Sequence, residues 1–426
     1  MEKRLNQRLR TAYVLQNILE EKIFFGELKK QIPPEELPFI NMNVLTTLRH
    51  LTALKSFLSS LVRKKIPHKH RLAEYLLLAA ISEILYLNTP DYAVINETVN
   101  DIKKHCDKFL AGMANAVLRK IAAEKENFKA KSRQISPFPK NFLPLLEGYE
   151  KAQISAIAES VNQISPLDIS VKDDPTKWKK TLNSDLLPNG TLRLYEYPAV
   201  NSLPGYQQGA WWVQDVAASL PVAALGNLQG KKVIDLCAAP GGKTAQLAAK
   251  GAQVTALDIS ESRLQTLKEN MQRLGFSQVI SKLADAAQYL QNTAEQYDVV
   301  LLDAPCSASG TFRRHPEVLH IKTLQDAETQ VALQQNLLNL CENALKPGGI
   351  LLYCVCSICK KEGEEQIEKF LSTHSNFKLS PINEADISPY GKWEQPLISP
   401  KGWIRTLPFM QKGMDSFFIC KMQRII

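Results

Sequence analysis

The sequence predicts a multidomain protein. It has an all-α N-terminal bundle, a small α+β middle region and a C-terminal α/β domain on a doubly wound, mostly parallel sheet. Three observations predict this. Apolar residues recur at helical spacing through the first 130 residues, with no strand alternation. From Lys231 onward, short apolar runs alternate with helical stretches. The first of those runs, VIDL, enters a Gly-rich turn, CAAPGGKT, that opens a helix.

A length of 426 residues fits two or three domains, each with ample core. A hydrophobic share of 45% and a charged share of 22% place the chain among soluble globular proteins. No apolar run reaches the roughly 20 residues that a membrane helix needs. The nearest, Leu72–Leu87, carries Glu74 and Glu83 and reads as a buried helix. The start, MEKRLNQRLR, has no apolar h-region, so no signal peptide is expected. The eight cysteines fall almost wholly in the second half and lack the density of a disulfide scaffold. A reducing, cytoplasmic setting with free thiols is expected.

Charge is unevenly placed. Residues 1–140 hold 24 Lys+Arg and 14 Asp+Glu, a balance of +10. The rest holds 28 and 29, a balance of −1, which gives the +9 of the whole chain. A basic module on a near-neutral one suits a polyanionic substrate, because cations supply salt-dependent affinity for phosphate.

In chain order, the predicted helical domain spans 1–130. Its helices lie in TAYVLQNILEE, LTALKSFLSSLV and AEYLLLAAISEILYL, punctuated by Pro33-Pro34, Pro67 and Pro90. The run RKKIPHKHR, Arg63–Arg71, reads either as a solvated loop or as a phosphate contact. Residues 131–205 read as a linker and small α+β region, with a helix near 150–163 and short strands in LDISVK and TLRLYEY. The third region, 206–426, carries strands at KVIDL, QVTALDI, QVISKLA, YDVVLLDA and GILLYCV. Helices follow Gly242 and span Ser260–Arg273, Leu324–Ala344 and Glu362–Leu371. SFFICKM reads as a final edge strand. Ligands of such sheets lie at the carboxyl ends of the strands.

Gly241 and Gly242 let the backbone of the turn approach a ligand closely. Asp258 ends the next strand, 23 residues after Asp235, where an acid commonly takes ribose hydroxyls. Asp285 follows the third strand, in position to face a cofactor base. A phosphate-binding loop needs glycine where this chain has Cys237, and the dinucleotide fingerprint G-x-G-x-x-G is absent. S-adenosylmethionine, a nucleoside cofactor that needs no phosphate cradle, fits better.

Cys306 follows the strand that ends at Asp303, and Cys356 follows LLYCV. Both are expected on the cofactor side of the sheet. Such a pair suits methylation of cytosine C5, a poor nucleophile. A thiolate adding to C6 makes the ring an enamine, and C5 then attacks an electrophilic methyl group. A second group near the first thiol assists release of the adduct, and Asp303 can hydrogen-bond the N3/N4 edge. Two other readings stay open: buried structural thiols, and a metal set from Cys354, Cys356 and Cys359. Arg313 and Arg314, just after the Cys306 loop, read either as phosphate contacts or as ordinary surface charge.

DLCAAPGGKT, DAPCSASGTFRRHPE, LKPGG, CVCS, WWVQDVAA and GMDSFF resemble the RNA cytosine-5 methyltransferases of the Nop/Sun type. PDYAVINETV and GMANAVLRKI resemble the antitermination factor NusB, over residues 1–125. The resemblance implies a NusB-like bundle joined to a Rossmann-like S-adenosylmethionine methyltransferase domain that acts on one cytosine of 16S rRNA. It implies Cys356 as nucleophile and Cys306 as the residue assisting release. It places S-adenosylmethionine against Cys237, Ala238, Ala239, Pro240, Gly241, Gly242, Lys243, Asp258, Asp285 and Asp303. Asp303 is carried as both a cofactor contact and a base contact, and no metal is expected. The chain departs from the family at Val355, usually Thr, at KKEG with Gly363 in the usual Asn position, and at Ser416, usually Gly. A non-catalytic RNA-binding or assembly factor, an enzyme acting on another RNA and an NTPase using GGKT are the alternatives.

Overall fold

The computed structural model of the protein describes residues 6–425. The chain divides into two compact units. The first runs to Pro144 and also takes in Arg314–Lys322; the second holds Leu145–Arg313 and the chain from Thr323. No helix among the described residues is long and apolar enough to cross a membrane.

The first unit is helical, with long helices at Gln7–Glu21, Leu37–Leu61, Arg71–Tyr86, Asp91–His105 and Lys108–Ala123. Side-chain caps start two of them: Asn6 accepts from Leu9 N and Asp107 from Phe109 N. Helix Arg71–Tyr86 is buried almost all round, from Tyr75 to Leu85. Its Glu83 is fully buried and takes a two-pronged ion pair from Arg8, at 2.6 and 3.0 Å. An unpaired carboxylate there would cost several kcal/mol. The segment Arg314–Lys322 belongs to this core, where His320 Nε2 lies 2.8 Å from Leu48 O.

The second unit opens with helix Lys151–Val161 and a small antiparallel sheet of β1 (Leu167–Val171), β2 (Asp185–Leu186), β3 (Leu192–Leu194) and β4 (Trp211–Val213), ordered β2-β3-β1-β4. Its centre is a buried pair: Arg193 grips both Asp168 oxygens at 2.7 Å. Asp168 also accepts from Val216 N at 3.1 Å, which joins this sheet to the helix Val216–Ala223.

The large sheet holds β5 (Lys232–Leu236), β6 (Gln253–Asp258), β7 (Ile280–Leu283), β8 (Tyr297–Asp303), β9 (Leu345–Val355), β10 (Phe377–Leu379), β11 (Ile404–Arg405) and β12 (Phe418–Arg424). The order is β10-β12-β9-β8-β5-β6-β7, with β11 beside β12. The strands from β5 to β9 pair in parallel. The central strands β5, β8 and β9 are mostly apolar on both faces because helices cover both. Val233, Val299, Leu301 and Leu352 pack to one side; Ile234, Val300, Leu302 and Leu351 pack to the other.

One expectation is corrected here. SFFICKM is an interior strand, because β12 pairs with β9 on one side and β10 on the other. The three-residue β10 that covers it is too short to leave a pattern in the sequence.

Candidate active site

β5 delivers the chain into the turn that the sequence singled out. Cys237 and Gly241 both take positive φ, at 60° and 101°. A Cβ at Gly241 would also sit 3.1 Å from Leu267 Cγ, so glycine serves both backbone and space. Behind the turn Asp235 is fully buried and accepts from Thr244 Oγ1 at 2.6 Å. Burial pushes its carboxyl up to about 7. Burial, then the neighbouring Asp303 and Asp258 carboxylates, push the Cys237 thiol up to about 12.

Asp258 at the end of β6 is almost wholly buried. It accepts from Ala239 N at 3.1 Å and from Ser260 N at 2.9 Å, so it braces the turn from the next strand. Asp285 is half-buried and caps helix Ala286–Asn292 by accepting from Gln288 N at 2.9 Å.

Asp303 ends β8 and receives Lys243 Nζ at 2.7 Å. Lys243 is the second residue of the helix Gly242–Ala249, and its ammonium lies 5.2 Å from the Phe417 ring centre. Burial alone would lower its pKa; Asp303 and the nearby thiols override this and raise it. The register Asp303↔Cys354 puts β8 and β9 side by side, and Cys354 Sγ donates to Asp303 Oδ1 at 3.4 Å.

Just past these ends, Cys306 Sγ and Cys356 Sγ lie 3.4 Å apart, and both residues are partly exposed. Contact with Cys356 and then burial push the Cys306 thiol well up. Gly310 N donates to Cys356 O at 3.1 Å, closing one loop on the other. Cys354, in contrast, is fully buried. Among the described residues no three His, Cys, Asp or Glu side chains gather as a metal set, Cys354, Cys356 and Cys359 included.

The sequence reading missed a buried polar network around the thiols: Ser307, Ser309, Ser357, Glu362 and Gln334. Its signal was the clustering of serines beside both cysteines. Arg313 corrects another expectation: it is 1% exposed, packed where a Cβ on Gly413 would meet its guanidinium, so it is neither a surface charge nor an open phosphate contact. Arg314 is exposed. The departure at Gly363 has a local reason. A Cβ there would lie 2.8 Å from Phe418 Cγ and inside the Arg405 guanidinium, which pairs with Glu364 and donates to Ser357 O. In the first unit, Arg63–Lys65 is an exposed loop between clefts of 770 and 870 Å³ that also reach Lys55, Arg71 and Lys120.

A doubly wound α/β domain with this turn defines a Rossmann-like domain, here in one chain with an all-helical domain. The family model described as 16S rRNA methyltransferase RsmB/F matches residues 222–423, and the NusB family model matches 3–123. The chain is 30% identical to ribosomal RNA small subunit methyltransferase B of Pasteurella multocida, over 99% of this chain and 97% of that one. It is 31% identical to the protein of that name from Citrobacter koseri, over 99% of each. It belongs to the ribosomal RNA small subunit methyltransferase B family. Among solved structures, PH0851 matches with a TM-score of 0.76 and 22% identity, covering 100% of both chains, which speaks to the fold. A methyltransferase homolog from Pyrococcus horikoshii matches with a TM-score of 0.54 and 27% identity, over 67% of this chain and 99% of that one.

Proposed function

We propose that this protein methylates C5 of a cytosine in 16S rRNA, using S-adenosylmethionine and a transient bond from Cys356 to C6 of the base. The observation that carries the reading is the 3.4 Å contact of two partly exposed thiols at the carboxyl ends of β8 and β9. The pair sits at the carboxyl ends of the strands, where such sheets bind ligands.

The residues present suit S-adenosylmethionine. Asp285, half-buried, would offer an acceptor to a purine amine, Asp258 would meet ribose hydroxyls with the lone pairs left beyond Ala239 N and Ser260 N, and the turn Cys237–Gly242 would offer backbone at close range. Asp303 offers a carboxylate to a cationic ligand, and Lys243 holds that carboxylate in place. When bound, the cofactor supplies the electrophilic methyl group.

The chain's own groups do the rest. Cys356 adds as thiolate to C6, and electron density moves to C5. Asp303 orients the base at its N3/N4 edge. Cys306, held protonated by burial and by its neighbour, stands 3.4 Å from the departing sulfur. Once C5 carries the new methyl, its proton is lost to water, and the Cys356 sulfur leaves as a thiolate that the Cys306 S–H beside it stabilises by hydrogen bonding, restoring the ring. The exposed cations Arg63, Lys64 and Lys65 contact the RNA backbone.

Tritium transfer from labelled cofactor to 16S rRNA tests the reading. Cys356→Ala is expected to abolish transfer, and bisulfite mapping to find one cytosine lost in its absence. Equal incorporation by wild type and variant would overturn the nucleophile.

A further inference from the structure

Glu362 takes no part in the chemistry described above, yet it is fully buried between the two cysteine loops. From the first loop it accepts Ser307 N at 2.8 Å and Ser307 Oγ at 2.6 Å. From the second it accepts Ser357 Oγ at 2.5 Å. From helix Leu324–Ala344 it accepts Gln334 Nε2 at 3.1 Å. Ser309 Oγ bridges the serines, at 2.8 Å from Ser307 Oγ and 3.0 Å from Ser357 Oγ.

A carboxyl group taken wholly out of water is expensive unless several donors meet it. An apolar residue would fill the same space without that cost, so packing alone does not explain it. The donors are informative: Ser307 and Ser357 are each the residue directly after one of the paired cysteines. The two loops are therefore fastened to one carboxyl group a single residue away from each sulfur.

We propose that Glu362 is the positioning residue of the thiol pair: by fastening both cysteine loops to one carboxyl group it holds Cys306 and Cys356 in contact and presents Cys356 as the nucleophile. The inference rests on the reading of Cys356 given above. Glu362 is among the groups that raise the Cys306 thiol, after the contact with Cys356, burial and the Cys356 charge.

The test uses the full chain without RNA or cofactor. Diamide reports proximity: it accepts two hydrogens from the thiols, becomes the hydrazine, and leaves one Cys306–Cys356 disulfide. Iodoacetamide followed by peptide mapping reports which thiol is presented as the nucleophile. Wild type should cross-link quickly and alkylate Cys356 well before Cys306. In Glu362→Gln, cross-linking should slow roughly tenfold or more and the alkylation preference should collapse toward parity. Glu362→Asp, which keeps the charge and shortens the reach, should hold the preference while still slowing the cross-link. If the Gln variant does not fold, Ser307→Ala with Ser357→Ala must slow cross-linking. Wild-type rate and preference in folded Glu362→Gln, or in that double variant a wild-type cross-linking rate, would overturn the proposal. Neither readout involves methyl transfer. Failure here with an inactive Cys356→Ala removes only Glu362; an active Cys356→Ala removes the reading beneath it.

Discussion

Lys243 Nζ and Asp303 Oδ2 meet at 2.7 Å, and this pair joins the Gly-rich turn to the end of β8. A lysine in a GGKT motif invites a role with phosphate, but here its ammonium is spent on a carboxylate and lies near the face of Phe417. Lys243→Met therefore strips a partner from Asp303 without creating a large cavity. We expect a stability loss of about 1–3 kcal/mol by urea unfolding, and a fall in methyl transfer that exceeds what the unfolded fraction explains. A variant with wild-type turnover would show that Asp303 needs no counter-ion.

Cys306 gives a kinetic prediction. Its thiol is half of the 3.4 Å pair, and it is held protonated. If it assists departure of Cys356 from the methylated base, Cys306→Ala should form the adduct and fail to resolve it. A protein–RNA band that survives a denaturing gel should accumulate with labelled 16S rRNA. Normal multiple turnover without that band would remove the role.

The strands and turn were legible because both faces of the parallel sheet are covered. Continuous apolar runs such as VVLLD and ILLYCV admit few other readings. The cysteines were legible because each follows such a run. Pairing in space was not: Glu362 lies six residues past Cys356 in a short turn, and nothing local tells that its carboxyl group reaches Ser307, 55 residues earlier. Arg313 failed for a related reason. Its neighbour Gly413 is distant in sequence, so a buried guanidinium looked like surface charge.

Asp235 predicts a pH effect whose sign follows from burial. The folded chain raises this carboxyl to about 7, above its unfolded value of roughly 4. The native state thus holds the proton more tightly than the unfolded one. The stability this gives is present below about pH 4 and is lost as pH rises toward 7. Asp235→Asn keeps an acceptor for Thr244 Oγ1 and removes the titration. Relative to wild type, the variant should gain stability between pH 5 and pH 8, read as urea midpoints. A constant difference across that range would mean that Asp235 does not titrate there.

The basic loop of the first unit makes a prediction independent of the thiols. Arg63, Lys64 and Lys65 are exposed together, beside clefts that also reach Lys55, Arg71 and Lys120, with Glu74 as the one carboxylate lining them among the described residues. A solvated loop would add little to RNA affinity, whereas cations on phosphate release counterions on binding. Lys64→Ala with Lys65→Ala removes two charges and no buried group. If both meet phosphate, the slope of log affinity against log salt should fall by roughly 1.4 to 1.8. Binding should weaken to a similar degree for unrelated RNA sequences, because phosphate carries no base information. An unchanged slope, measured by filter binding from about 50 to 200 mM salt, would return the loop to plain surface charge and move the phosphate contacts elsewhere.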